Sequence, residues 1–119
     1  MSEAGPPTLY GIPNCDQVRK ARAWFDANGV TCQFHDFKKA GLSAALVTRW
    51  IDALDWETLV NRKGTTWRAL PDARKAAIVD AATATALMLE MPSIVKRPVL
   101  QAGDTIMVGF DATRYQSLF

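Results

Sequence analysis

Soft metal ligands are scarce in this chain: two cysteines and one histidine among 119 residues. A lone histidine, His35, with no Cys or His cluster to join, does not make a metal site. Two cysteines are too few for a disulfide scaffold, and a reducing, cytoplasmic setting is the expectation. No apolar run is long enough to span a bilayer. Residues 1–7 lack the basic-then-apolar order of a secretory signal and read as a flexible tail. Neither sign of charge dominates. The 14 basic and 12 acidic residues leave a formal net charge of +2 and are interspersed, so nothing demands nucleic acid or a membrane surface.

What is present is enough apolar material for a core, 49% of the residues. Residues 8–119 are expected to form one domain, and a monomer is the expected state. The informative stretch runs from Leu9 to Ala21. Leu9 to Ile12 is apolar and bounded by Gly and Pro, as a buried strand is. Asn14 suits a helix N-cap. Cys15 then falls at the first helical position, where the N–H groups lack intrahelical partners and the dipole is positive.

That position bears on reactivity, because the thiolate is the nucleophile. A free thiol has a pKa of about 8.5 and is only slightly ionised near neutrality. A helix start contributes roughly 0.3–1 kcal/mol, or ~2 when partly buried, and lowers the pKa by up to about 1.5 units. Arg19 and Lys20 are expected to add to this and Asp16 to oppose it. Cys15 is therefore the candidate nucleophile.

Further along, Val18, Ala21 and Phe25 mark the buried face of a helix over 15–28, stopped at Asn28-Gly29. Cys32 to Phe37 reads as a second strand, parallel to the first and joined to it by a right-handed crossover. Cys32 is either a small apolar residue or a resolving thiol for Cys15. His35 is read as structural. From Gly41 to about Met91 the pattern is helical. Ser43 caps a helix with Leu46, Trp50, Ala53 and Leu54 on one side. A short helix is placed at 57–61, and Arg62 to Arg68 is a basic loop. Pro71 starts another helix, and the Asp80 to Glu90 stretch gives a further one. Trp24, Trp50, Trp56 and Trp67 are assigned to this helical layer. Ile94 to Leu100 is strand-like, with Pro98 at a strand start or edge. A turn at 102–104, a strand over 105–109 and a helix over 112–118 capped by Asp111 complete an α/β order.

Three segments carry a resemblance to a known family. They are Leu9-Tyr10-Gly11-Ile12-Pro13-Asn14-Cys15-Asp16, Gly64-Thr65-Thr66-Trp67-Arg68, and Glu90-Met91-Pro92-Ser93-Ile94-Val95-Lys96-Arg97-Pro98-Val99. With them the chain resembles the arsenate reductase-like (ArsC/Spx) family of thioredoxin-fold proteins, in its YffB branch, from Thr8 to Phe119. The resemblance implies a thioredoxin-like fold: a four-stranded mixed sheet with a helical insertion between the second and third strands. It implies that Pro98 is a cis-proline facing the active thiol, with Arg97 near an anion site.

The family's activities differ. Glutaredoxin-coupled arsenate reductases attack arsenate with the cysteine matched by Cys15 and surround it with arginines from three segments. Arg97 matches one, a second falls at Asn61 beside Arg62, and the third falls near Val108-Gly109, where this chain has none. A histidine before their loop is replaced by Gly11. Spx-type regulators, which bind RNA polymerase, use a Cys-x-x-Cys switch, and this chain has Val18 at the second place. The leading expectation is a glutathione-dependent thiol reductase with Cys15 as its single nucleophile; the alternatives are a glutaredoxin-coupled arsenate reductase and a Spx-like transcriptional regulator binding RNA polymerase. Asn14, Asp16, Arg62, Lys63, Arg97 and Pro98 are expected to bind substrate or glutathione, Arg for its bidentate fit to carboxylates. Glutathione is the implied co-substrate, with no bound cofactor or metal, and glutaredoxin is a possible partner.

Overall fold

A computed structural model describes residues 6–119. The chain divides into two compact units. One runs up to Ala40 and resumes from Arg97 to Phe119, and the other is Gly41–Lys96. Most of the expected flexible tail, residues 1–5, lies outside the described residues. Pro7 is tied down, its carbonyl accepting a hydrogen bond from the Gln33 N–H at 2.8 Å.

The first unit holds the sheet. Strand β1 (Thr8–Gly11) leads into helix α1 (Asp16–Ala27) and then into β2 (Gln33–Asp36). After a four-residue helix, α2 (Phe37–Ala40), and the inserted second unit, the chain returns as β3 (Val99–Ala102), β4 (Thr105–Val108) and a last helix, α8 (Ala112–Leu118). The sheet order is β2-β1-β3-β4, with β1 and β2 parallel and the other neighbours antiparallel. This is the expected thioredoxin-like mixed sheet, with its insertion between the second and third strands.

Strand alternation divides the side chains between two faces. Leu9, Leu100 and Met107 fall on one, where Val18, Ala21 and Phe25 of α1 and Tyr115 of α8 pack on them. Burying each large apolar side chain there contributes roughly 1.5–3 kcal/mol. On the other face Tyr10 sits across from His35, with ring centroids 5.0 Å apart. Trp24, expected in the helical layer, instead stacks edge-on against Phe25 and Tyr115 at 5.3 and 5.6 Å. It lies on α1, six residues after Val18, and so follows that helix's packing.

In the second unit α3 (Ala44–Leu54), α4 (Trp56–Leu59), α5 (Thr65–Arg68), α6 (Asp72–Ala76) and α7 (Ala81–Glu90) are followed by a 3-10 turn, Pro92–Ile94. Ser43 caps α3 through the Leu46 N–H at 3.1 Å. The buried stripe of α3 passes through Val47 and Trp50 and leaves Ala53 exposed, shifted from the expected face. Asp80 and Thr83 form a reciprocal capping box on α7, which satisfies two of the otherwise orphaned N–H groups. Half of the expected basic loop is helical, because Gly64 begins the turn of α5. A short antiparallel pairing joins Val60 to Val95. It carries hydrogen bonds from the Asn61 N–H to the Ile94 carbonyl (2.8 Å) and from the Lys96 N–H to the Leu59 carbonyl (2.7 Å). No helix among the described residues is long and apolar enough to cross a membrane.

Candidate active site around Cys15

The loop after β1 is a tight turn. The Cys15 N–H donates to the Ile12 carbonyl at 3.1 Å. Pro13, whose ring presets φ, occupies the second place of that turn and Asn14 the third. The turn decides the cap. Because Asn14 is used in the turn, Cys15 itself becomes the N-cap of α1, with extended φ −90° and ψ 132°. The sequence placed the cap one residue too early, and Cys15 one residue too far into the helix.

The correction changes which groups meet the sulfur. An N-cap side chain faces the N–H groups of the second and third helical residues. Here these are Gln17 and Val18. The neutral thiol closes no full cap hydrogen bond, yet both amides favour its ionised form. Burial is the largest single influence on Cys15 and pushes its pKa up. It is outweighed by the Val18 N–H, by a hydrogen bond and charge attraction from Arg97, and by the Gln17 N–H. The net result is a thiol held below its ordinary pKa. The amide of Asp16, at the first helical position, is not among the groups that lower it.

Arg19 and Lys20 do not supply the positive field either. Both turn to the Asp16 carboxylate, at 3.6 and 3.4 Å, in exposed i,i+3 and i,i+4 pairs. Asp16 draws both bases to its own carboxylate, and Arg97 is the cation that acts on the sulfur. The Arg97-Pro98 peptide is cis, as expected, and Pro98 is buried. The Pro98 carbonyl accepts the Gly109 N–H at 2.8 Å, which fixes this segment to the end of β4. Asn14 and Asp16 are exposed beside a half-buried Cys15.

Cys32 belongs elsewhere. It precedes Gln33, which pairs with Thr8 at the start of β1, whereas Cys15 lies beyond Gly11 at the end of β1. The strands are parallel, so three strand steps, about 10 Å, separate those ends. A disulfide needs Cα atoms within ~7 Å, so Cys32 is not placed to resolve Cys15. Burial pushes its thiol up to about 11, and its Sγ approaches the Gln33 carbonyl at 3.4 Å.

Arg62 and Lys63 lie in the second unit, after α4. Arg62 pairs with Glu57 at 3.3 Å and sits 5.7 Å over the Trp56 ring. The Lys63 N–H donates to the Asn61 side chain at 3.2 Å, and the residue is exposed.

The sequence model of the ArsC family matches residues 10–118. A protein of Haemophilus influenzae described only as uncharacterised is 35% identical over 112 residues, covering 94% of this chain and 97% of that one. Among solved structures, a YFFB protein is 44% identical with a TM-score of 0.90, covering 94% of this chain and 97% of its own. An arsenate reductase (ArsC) related protein from Brucella melitensis is 45% identical with a TM-score of 0.76, covering 98% and 97%.

Proposed function

The chain belongs to the ArsC family, and on that premise we propose that it is a glutathione-dependent thiol reductase with Cys15 as its only nucleophile. One observation carries the reading: Cys15 caps α1 and hydrogen-bonds Arg97, so its thiolate is favoured at the end of the sheet's first strand. In the reaction, the Cys15 thiolate attacks the glutathione sulfur of a mixed disulfide. The Cys15–glutathione S–S bond forms as the substrate S–S bond breaks, and the substrate sulfur leaves with the electron pair. A second glutathione, as thiolate, then attacks the glutathione sulfur of that Cys15 mixed disulfide, and the Cys15–glutathione S–S bond breaks. Oxidised glutathione departs and Cys15 recovers its electron pair. The proton lost by that glutathione ends on the released substrate thiol, so one disulfide is reduced and one is formed.

Arg97 binds a glutathione carboxylate in addition to holding the thiolate, as guanidinium groups are suited to do. Asn14, Asp16 and Pro98 are assigned to the same substrate and glutathione site on the family resemblance. Arg62 and Lys63 are assigned to glutathione on the family resemblance, with glutaredoxin as an alternative reductant. The reaction needs no bound cofactor or metal.

The test is the intact mass of the protein after incubation with oxidised glutathione over a pH series. One adduct, lost in Cys15→Ser and kept in Cys32→Ser, with a midpoint below ~8.5, is the expected result. No adduct, or one that survives Cys15→Ser, overturns the reading. A second reading draws on the Brucella melitensis relative, which is arsenate reductase related. Glutaredoxin-coupled turnover with arsenate separates it from the first.

A further inference from the structure

Gly11 ends β1 and is buried. A Cβ built there would lie 2.6 Å from one Val18 methyl and 3.4 Å from the other. Carbon atoms pack at about 3.5–4.0 Å, so any side chain at position 11 would have to push Val18 away by about 1 Å. Val18 has little room to yield. It is fully buried in the core cluster of Leu9, Ala21, Phe25 and Leu100. Being β-branched in a helix, it keeps essentially one χ1 rotamer. The displacement would therefore fall on the first turn of α1.

Val18 is the third residue of α1, counted from the Cys15 cap, and the N–H at that place is a natural partner of a cap side chain. We propose that Gly11 is a positioning residue for the thiol. Its missing side chain lets Val18 seat against β1, and that seating aims the Val18 N–H at the Cys15 sulfur. The inference rests on Cys15 being the working nucleophile, but not on glutathione being its partner. It also gives a reason for glycine at a position where the strand conformation does not require one, since Gly11 has no positive φ.

The experiment is the pH dependence of alkylation by iodoacetamide, read by mass at Cys15 in a Cys32→Ser background. Circular dichroism confirms the fold of each variant. Gly11→Ala is expected to move the midpoint up by roughly 0.5–1 unit and slow the reaction at pH 7 about threefold, as the thiolate fraction falls. Val18→Ala removes the opposing methyls but keeps the amide, so adding Gly11→Ala to it should leave the midpoint where Val18→Ala alone has it. A folded Gly11→Ala variant with the parent midpoint overturns the proposal. So does an equal shift in both backgrounds, because Val18 is then not the route. If Gly11→Ala alone does not fold, the double variant decides. A folded double with the midpoint of Val18→Ala supports the proposal, and a raised midpoint overturns it. Alkylation uses no glutathione, so failure here is distinct from failure of the reductase reading, which the glutathione adduct tests.

Discussion

The Arg97 guanidinium hydrogen-bonds the sulfur of Cys15, joining the segment before β3 to the cap of α1. The bond crosses the sheet's central pair of strands, β1 and β3, so the thiol is tuned by a residue far along the chain. Burial alone would make Cys15 a weaker acid. The Val18 N–H, Arg97 and the Gln17 N–H together outweigh it, and Arg97 is the charged side chain among them.

Removing that charge should therefore slow the thiol. Hydrogen bonds to ionised groups contribute roughly 1.5–3 kcal/mol, and ~1.36 kcal/mol is one pKa unit. Arg97→Gln is expected to raise the alkylation midpoint of Cys15 by about one unit. Arg97→Lys should keep part of the charge effect but lose the planar fork, leaving glutathione binding weakened while the midpoint moves less. Midpoints from iodoacetamide rates and KM for glutathione check the two effects separately. An unchanged midpoint in Arg97→Gln refutes the tuning role.

Cys15→Ser should abolish glutathione adduct formation and leave the fold intact. Its effect on stability depends on pH. The folded pKa of Cys15 is depressed, so its ionisation adds stability that is fully present above the unfolded thiol value, about 8.5. That contribution is lost as pH falls through the lower folded value. Urea unfolding of parent and Cys15→Ser at pH 6 and pH 9, under reducing conditions, should show the parent's advantage growing at pH 9. A constant difference contradicts the depressed pKa.

Cys32 should behave in the opposite sense. Its folded thiol is pushed up to about 11 by burial, so the unfolded state ionises first. Stability tied to Cys32 falls as pH rises from the ordinary thiol range towards that value. Cys32→Ala should remove this loss and flatten the alkaline limb of the unfolding curve. It should also leave the glutathione stoichiometry at Cys15 unchanged. A glutathione adduct on Cys32 at pH 7 would refute the burial argument.

Lys63→Ala and Arg62→Ala probe the basic loop. Arg62 is already held by Glu57 and the Trp56 ring, so its loss should disturb α4 locally as well as binding. Lys63 is exposed. Lys63→Ala is expected to raise KM for glutathione severalfold without moving the Cys15 midpoint. Steady-state rates at varied glutathione, beside the alkylation midpoint, check this, and an unchanged KM removes Lys63 from the binding residues.

Local signals in the sequence marked most of the elements, though not the short helices α2 and α5. Ser43, Asp80 and Asp111 each begin a helix, because a cap is a bond between a side chain and an amide two or three residues on. The spacing of Val18, Ala21 and Phe25 marked the buried face of α1, since a helix's period is fixed by its geometry. Cys15 was legible as a thiol near a helix start for the same reason. The tertiary structure decided what surrounds it. The closed Ile12–Cys15 turn took Asn14 and made the cysteine itself the cap. Parallel pairing put Cys32 at the far end of the sheet. The local bases Arg19 and Lys20 are drawn to the Asp16 carboxylate, whereas Arg97 reaches the sulfur only because β3 returns beside β1. Caps and periodicity act over a few residues and are written in order along the chain. Which cation meets the thiol, and which cysteine does not, depends on strand order and direction, and these exist only once the sheet has formed.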